Sequence, residues 1–280
     1  MIHVKKAFVI GYPIKHSRSP LIHGHWLERY GIAGSYEAIE VPPAELERFL
    51  DRIRSGEFAG GNVTVPHKEE AWRLVDFRDA ATDHLKAFNT LSQRQTAGGI
   101  AIYGQNTDLY GFLANLDQEA PGWDEGVENA IVLGAGGAAR AVAAGLALRV
   151  KGQVRVLNRT VDRAKALAAD LPGAIEGHPL EAFAALAPSS QLVVNTTTIG
   201  MHGTRFDNLP LELLPKSALV TDIVYVPLVT PLLAEARELG LRTVDGLGML
   251  LHQAVPGFEA WFGVRPEVTP ELRAKIEATL

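Results

Sequence analysis

The sequence predicts an α/β protein of two domains, the first built on a mixed sheet and the second on a parallel one. Three observations carry this. A length of 280 residues suits about two domains. Short β-prone segments alternate with helix-period segments along almost the whole chain, the pattern of crossover units. Past residue 128 the strands become nearly unbroken runs of Val, Leu and Ile, as expected of parallel strands buried on both faces.

In chain order, AFVI (7–10), SYEAIEV (35–41) and GNVTV (61–65) read as strands. Helical patterns lie between them near 20–30 and 43–54. The first opens with Ser19 as N-cap and Pro20 at the first helical position, and it stops before Gly31. Pro66 ends the third strand, and a helix begins near Lys68. FNTLSQ (88–93) and IAIYGQ (100–105) flank Thr96-Ala97-Gly98-Gly99, a hairpin that makes the first sheet mixed. The domain boundary follows that hairpin. DQEAPGWDEGVE (117–128), rich in Gly, Pro and acid, leads into the second sheet. There NAIVLGAGGAARAVAAGLALRV (129–150) reads as strand, glycine turn and Ala-rich helix. QVRVLN (153–158), a helix from about 160, QLVVNT (191–196), ALVTDIVY (218–225), a helix near 229–239 and LRTV (241–244) continue the alternation. The tail from Gly246 reads as two helices, roughly 246–262 and 268–279. Periodicity leaves open which domain they join.

Composition narrows the function. With 47% apolar and 21% charged residues the chain can build a sizeable core and is not a disordered segment. Lys+Arg 27 against Asp+Glu 32 gives −5, so no nucleic-acid partner is expected. Cysteine is absent, which excludes disulfides, thiolate nucleophiles, Fe–S clusters and Cys-based zinc sites. A cytoplasmic location fits that absence. The apolar stretch Ala130 to Ala139 stops at Arg140, far short of the roughly 20 residues a membrane helix needs. Lys5-Lys6 precedes an apolar run broken by Pro13 and Lys15, with no small-residue cleavage site, so no signal peptide is expected. His23 and His25 lie two apart, on nearly opposite sides of a helix. No other metal spacing exists, and no metal is expected.

Gly134-Ala135-Gly136-Gly137-Ala138-Ala139 matches G-x-G-x-x-G/A between a predicted strand and a predicted helix, the context that makes the motif informative. Small residues let the backbone approach a pyrophosphate, and the helix N-terminus favours its charge. This makes the second domain Rossmann-type. The next strand ends at Asn158-Arg159-Thr160, where an acidic residue would grip the ribose hydroxyl of NAD. A neutral Asn158, with Arg159 beside it and Arg163 four residues on, suits the 2′-phosphate of NADP instead. Surface arginines are often merely solvated, but the predicted cofactor is NADP.

A hydride carrier needs a proton donor or acceptor at the reacting carbon. Ser17 and Ser19, in GYPIKHSRSP (11–20), suit a carboxylate at a helix N-terminus, although Ser19 alone reads as a cap. Thr64 and Lys68 lie in GGNVTVPHKE (60–69). Lys68 is a candidate acid/base, although most lysines are simply solvated. Asp108, in NTD (106–108), reads either as a helix N-cap or as the partner of Lys68. Parallel strands end on one sheet edge, so Lys68 and Asp108 are expected to face one another across a cleft.

Together, GYPIKHSRSPLIH (11–23), GNVTVPHK (61–68), NTL (89–91), GQNTD (104–108), GAGGAAR (134–140), NRTVDR (158–163), NTTTIGM (195–201), DIVYVP (222–227) and GLGMLLHQA (246–254) closely resemble the shikimate dehydrogenase family. The resemblance spans nearly the whole chain. It implies a mixed-sheet α/β substrate domain (1–108 plus 246–280) and a Rossmann-type parallel-sheet NADP-binding domain (109–245), with a cleft between them. The implied activity is NADPH-dependent reduction of 3-dehydroshikimate to shikimate, on the way to chorismate and the aromatic amino acids. By motif match, Ser17, Ser19 and Tyr225 would hold the substrate carboxylate, and Thr64, Asn89, Asp108 and Gln253 the ring hydroxyls. Lys68 would be the acid/base, with Asp108 fixing its position and charge. Gly134 to Ala138, Asn158, Arg159, Thr160, Arg163, Ile223 and Gly246 would line the cofactor site. On the residues alone, Gln253 reads equally as a polar residue on an exposed helix face, and Tyr225 as an ordinary interfacial aromatic.

Three positions depart from the family pattern: Lys86-Ala87-Phe88 before Asn89, Gly24 in the first motif, and Leu109-Tyr110 after Asp108. Phe88 is expected to make a bulkier wall beside Asn89. The competing readings are a broader quinate/shikimate dehydrogenase, disfavoured by Asn158-Arg159, and a non-catalytic dinucleotide sensor, which leaves the Ser, Lys, Asp and Gln set unexplained. The protein is expected to act as a monomer or homodimer on a small-molecule substrate.

Overall fold

A computed structural model describes residues 4–280. The chain forms two compact units, one running up to Thr107 and resuming at Gln253–Ala278, the other Asp108–His252 with the last two residues.

In the first unit, β1 (Lys5–Gly11), α1 (Ser19–Arg29), β2 (Gly34–Glu40), α2 (Leu46–Arg54), β3 (Gly60–Val63), α3 (Lys68–Leu74), β4 (Phe77–Arg78), β5 (Thr90–Thr96) and β6 (Gly99–Gln105) follow in order. Six strands form one sheet, β2-β1-β3-β5-β6-β4. β1 runs parallel to β2 and β3, while β5 is antiparallel to both β3 and β6, so the sheet is mixed. The hairpin pairs Thr96 with Gly99, as its turn residues predict. α2 carries Leu46, Phe49, Leu50 and Ile53 on one buried stripe, the i, i+3, i+4, i+7 spacing of a helix lying on a sheet. Phe49 and Phe58 meet the Phe8 ring edge-on at 4.9 and 5.0 Å.

The second unit runs α4 (Asp108–Glu119), β7 (Ala130–Leu133), α5 (Gly137–Ala147), β8 (Val154–Asn158), α6 (Val161–Asp170), β9 (Ile175–Pro179), α7 (Phe183–Leu186), β10 (Leu192–Asn195), β11 (Ile199–His202), β12 (Leu219–Asp222), α8 (Pro231–Glu238), β13 (Arg242–Val244) and α9 (Leu247–His252). Its sheet, β13-β12-β10-β7-β8-β9, is parallel at every pairing. β7, β10 and β12 are buried at every residue, which is why their sequences show no alternation. The strand order reverses between β7 and β10, where open α/β sheets bind ligands.

The tail returns to the first unit as α10 (Val255–Phe262) and α11 (Pro270–Glu277). Trp261 on α10 donates its Nε1–H to the Leu91 carbonyl at 2.8 Å. Gly60 makes this possible: its φ is +149°, and a Cβ there would strike the Leu91 carbonyl and the Trp261 ring. The Trp26 indole of α1 donates to the Glu267 carbonyl at 3.0 Å, just before α11.

Several boundaries differ from the sequence reading. Ser19 is the first helical residue, not the cap, because its N–H already bonds to the Ser17 hydroxyl at 3.3 Å. The predicted 88–93 strand starts at Thr90, after a bend at Asn89. The predicted 218–225 strand stops at Asp222, whose carboxylate takes the Val224 N–H at 2.9 Å and turns the chain. The predicted 246–262 helix is two helices. Its first half, α9, packs in the second unit, where Gly248 lies against Asn115 of α4 and Asn115 Nδ2 donates to the Asp245 carbonyl at 2.8 Å. The chain therefore crosses back to the first unit at 252–253, not at 246. β4 and β9 are short and polar enough to escape a periodicity reading.

His23 on α1 is fully buried, stacked on Tyr36 with ring centroids 4.0 Å apart and ringed by Trp26, Phe258 and Trp261. Burial, only partly offset by the Asn62 side chain, holds its pKa down to about 3. The unfolded chain takes up this proton near pH 6.5, whereas the folded one does so only near 3. Stability therefore falls with decreasing pH between those values, by about 1.4 kcal/mol per pH unit from this site. Urea midpoints from pH 7 to 4 should fall less steeply for His23→Phe than for the wild type.

Candidate functional site

In the first unit, the predicted polar residues gather on one sheet edge for a topological reason. β1, β3 and β6 end there, and β5, antiparallel to β3, begins there. The β1 end leads to Ser17 and Ser19, the β3 end to Thr64 and Lys68, the start of β5 follows Asn89, and the β6 end leads to Asn106 and Thr107. The Thr64 N–H donates to the Ile10 carbonyl at 2.9 Å, and the Phe88 N–H to the Lys68 carbonyl at 2.9 Å, which sets the Lys68 backbone beside the Asn89 segment. The buried His67 ring, 2.7 Å from the Val41 carbonyl, anchors the turn before Lys68.

Asn89 is the hub. Its Oδ1 accepts from the Thr107 N–H at 2.7 Å and the Thr107 hydroxyl at 3.1 Å, while its Nδ2 donates to Gln253 Oε1 at 3.2 Å. The Thr107 hydroxyl also lies 2.8 Å from the Gln253 carbonyl. Gln253, in the break before α10, is thus brought onto this edge by the same amide that closes the sheet. On the other side, Asn62 donates through Nδ2 to the Asn89 carbonyl and to Thr90 Oγ1, both at 3.1 Å. Its Oδ1 accepts from the Tyr36 hydroxyl at 2.6 Å. The Tyr36 and Ser19 hydroxyls are also hydrogen-bonded, and burial pushes the Tyr36 hydroxyl well above its ordinary pKa.

The second unit carries the glycine loop at its switch point. Gly134 has φ +105°, and a Cβ there would lie 2.9 Å from Thr196 Oγ1 and 2.9 Å from Thr197 Cγ2. Only glycine lets the loop sit against the β10 end. Gly136 and Gly137 face open space, so no protein contact demands glycine there. A backbone approach by a ligand would. In front of them opens a cleft of about 370 Å³, lined by the loop, Thr196 to Ile199, Asn158, Arg159 and Arg163. Asn158 Nδ2 donates to the Thr160 carbonyl at 3.0 Å, which fixes the turn that presents Arg159. Neither arginine is paired with a carboxylate among the described residues. Two cations, no acid and an open cradle at a helix N-terminus fit a phosphorylated dinucleotide.

Beneath this cleft, Asp222 at the β12 end is fully buried. Burial pushes its carboxyl up, while donors oppose the rise: Thr230 Oγ1 at 2.7 Å, Asn195 Nδ2 at 3.0 Å and the Val224 N–H. This holds the loop so that the Ile223 carbonyl packs against Gly246, where a Cβ would collide with it. The two residues expected near the cofactor are therefore neighbours. Tyr225 follows in the same loop, Lys68 is the first residue of α3 in the first unit, and Asp108 is the first residue of α4 in the second.

Phe88 does not form the expected wall beside Asn89. It is completely buried in the first unit's core, beside Val75 and against Gly104, which has no side chain to keep it out. Tyr36, Asn62, Thr90 and Thr107 were missed as site residues. The available signal was Asn62, a polar residue in a strand otherwise fit only for burial. Among the described residues no group of three His, Asp or Glu side chains is arranged to hold a metal ion.

Residues 9–91 match the family described as shikimate dehydrogenase substrate binding domain, 121–249 shikimate / quinate 5-dehydrogenase, and 246–270 shikimate 5′-dehydrogenase C-terminal domain. The chain is 54% identical, over 98% of its length and 96% of the relative's, to the shikimate dehydrogenase (NADP(+)) of Chelativorans sp.. The chain belongs to the shikimate dehydrogenase family. The corresponding protein of Mesorhizobium japonicum is 53% identical over 99% of the chain and 97% of its own length. Among solved structures, the Thermus thermophilus shikimate 5-dehydrogenase in complex with NADP(H) and shikimate aligns with a TM-score of 0.82 at 35% identity, over 99% of both chains. The quinate dehydrogenase of Corynebacterium glutamicum in complex with NAD aligns at 0.88 with 29% identity, over 98% of this chain and 99% of its own.

Within the family pattern, the departure at Leu109 is a packing choice. Leu109 Cγ would lie 3.2 Å from a Cβ on Gly145, so this side chain seats α4 on α5. The Asp222 carboxylate, which serves three donors, is the costliest of these supports to remove. Asp222→Ala should lower the unfolding free energy by about 3 kcal/mol, read from urea denaturation, because buried donors are left unpaired.

Proposed function

We propose that this protein catalyses the reversible reduction of 3-dehydroshikimate to shikimate with NADPH, in the pathway to chorismate and the aromatic amino acids. The observation that carries this reading is the 54% identity over nearly the full length to an NADP(+) shikimate dehydrogenase. The polar edge of the first unit and the glycine cleft of the second support it. In this reading the first unit, up to Thr107 and again from Gln253, serves as substrate domain, and the second as NADP domain.

Ser17, Ser19 and Tyr225 hold the substrate carboxylate, and Thr64, Asn89, Asp108 and Gln253 take the ring hydroxyls. Gly134, Ala135, Gly136, Gly137 and Ala138 cradle the pyrophosphate at the α5 N-terminus. Asn158, Arg159, Thr160 and Arg163 grip the 2′-phosphate, and Ile223 and Gly246 back the nicotinamide. NADPH, when bound, supplies the hydride for the C3 carbonyl. Lys68 donates a proton to the alkoxide oxygen that develops at C3, and takes it back in the reverse direction. Asp108 keeps the Lys68 ammonium positioned and charged.

A cysteine-free chain suits work in the cytoplasm as a monomer or homodimer. No helix among the described residues is long and apolar enough to cross a membrane.

Shikimate with NADP+ should produce a rise in NADPH absorbance, and quinate a much smaller one. Equal rates would favour the broader quinate/shikimate reading, and no rise with either would overturn catalysis. Lys68→Ala should lower kcat by about 10²–10⁴-fold while KM for shikimate stays within about tenfold; wild-type turnover would remove Lys68 from the mechanism. Arg159→Ala should raise the Kd for NADP+ by roughly ten- to a hundredfold, the loss of one charge-assisted hydrogen bond, and barely change that for NAD+. Tighter wild-type binding of NAD+ than NADP+ would refute the role given to Arg159.

A further inference from the structure

The Tyr36 hydroxyl, hydrogen-bonded to that of Ser19, also satisfies the buried Asn62 oxygen, at the far end of an amide that holds the Asn89 carbonyl. We infer that Tyr36 is a positioning residue for substrate binding, acting through Asn62 on the Asn89 hub. This rests on the function proposed above.

The argument follows donors and acceptors. Asn62 sits in the middle of the first sheet and is almost completely buried. One end of its amide faces the Asn89 carbonyl, which can only accept, and Thr90 Oγ1 at 3.1 Å. That end must be the NH2. The other end must then be the oxygen, and its partner is the Tyr36 hydroxyl at 2.6 Å. A flip of Asn62 would set its oxygen against the Asn89 carbonyl, so the amide keeps this orientation, and the Tyr36 hydroxyl is the donor that satisfies the buried oxygen at its other end. Asn62 thereby pins the Asn89 backbone from below, while Thr107 pins the Asn89 side chain from beside it. The second contact orients the amide towards Gln253, and the first fixes where that amide stands. The Tyr36 ring has no slack to let the hydroxyl wander, being stacked on His23 at 4.0 Å and tilted against Trp261 at 5.8 Å.

Tyr36→Phe keeps the ring and its packing but removes the proton that holds Asn62 Oδ1. Steady-state kinetics of Tyr36→Phe, Asn62→Leu and the double variant test the inference, with wild type and Asn89→Ala assayed alongside. KM for shikimate should rise about three- to tenfold in Tyr36→Phe, with kcat within threefold of wild type and the Kd for NADP+ unchanged. The double variant should match Asn62→Leu alone, since one residue acts through the other. Unchanged KM in a folded Tyr36→Phe, a fall confined to kcat, or additive effects in the double variant would overturn it. If Tyr36→Phe does not fold, Asn62→Leu decides the same link: the KM rise supports it and an unchanged KM sinks it. A wild type inactive on shikimate, or an Asn89→Ala variant with normal KM, would instead defeat the underlying functional reading.

Discussion

The Asn89 amide is the constraint on which the first unit's candidate site depends. It is buried where β3, β5, the β6 end and the break before α10 meet, four segments from distant parts of the sequence. A buried amide left unpaired costs about 1–3 kcal/mol. Thr107 brings the β6 end and Gln253 brings the tail to this amide, while Asn62 of β3 holds the Asn89 backbone carbonyl. A single side chain thus closes the polar edge and recruits a residue 164 positions away. Neither a lysine nor a serine could do this, because only an amide both donates and accepts in fixed directions.

The second unit solves a different problem with backbone. Its ligand is expected to be anionic, and amides at a helix N-terminus serve an anion without any side chain. On the proposed reading, side chains enter only where one nucleotide must be told from another, at Asn158, Arg159 and Arg163. The rest is clearance: Gly134 lets the loop lie on the β10 end, and Gly246 lets the Ile223 carbonyl come close. Asp222 keeps that clearance open from below, by holding the turn after β12 through its donors.

What could be read from the sequence divides along the same physical line. Local signals survived well: the alternation of strands and helices, the hairpin at Thr96–Gly99, the glycine loop and the parallel second sheet all depend on residues close in sequence. Boundaries set by side-chain hydrogen bonds did not survive. Ser19 became the first helical residue with its N–H on the Ser17 hydroxyl, the strand after residue 218 ended at Asp222, and the helix from 246 divided so that α9 stayed with α4. In the first two cases a side chain only two residues away set the boundary, and in the third a partner 130 residues away did. Phe88 shows the limit most clearly. Its bulk was legible, but its direction was not, because direction depends on where the core leaves room, here against Gly104.

Likeness of backbone does not choose a substrate. The quinate dehydrogenase aligns with a higher TM-score, 0.88, than the shikimate enzyme bound to its substrate, 0.82, although its sequence identity is lower, 29% against 35%. Two proteins with different named substrates share this architecture almost equally, so the choice lies in side chains. In the first unit those side chains are mostly neutral hydroxyls and amides whose donors and acceptors are already committed in definite directions. A ring hydroxyl entering such a network is read by whether it can complete the pattern, and a site built to hydrogen-bond a hydroxyl rejects a ligand that leaves its polar groups unpaired far more strongly than an apolar pocket rejects a misfit. Selectivity of that kind is only as sharp as the network is rigid. On the proposed reading, buried polar partners such as Asn62 and Thr90 therefore belong to the recognition apparatus as much as the groups that meet the ligand.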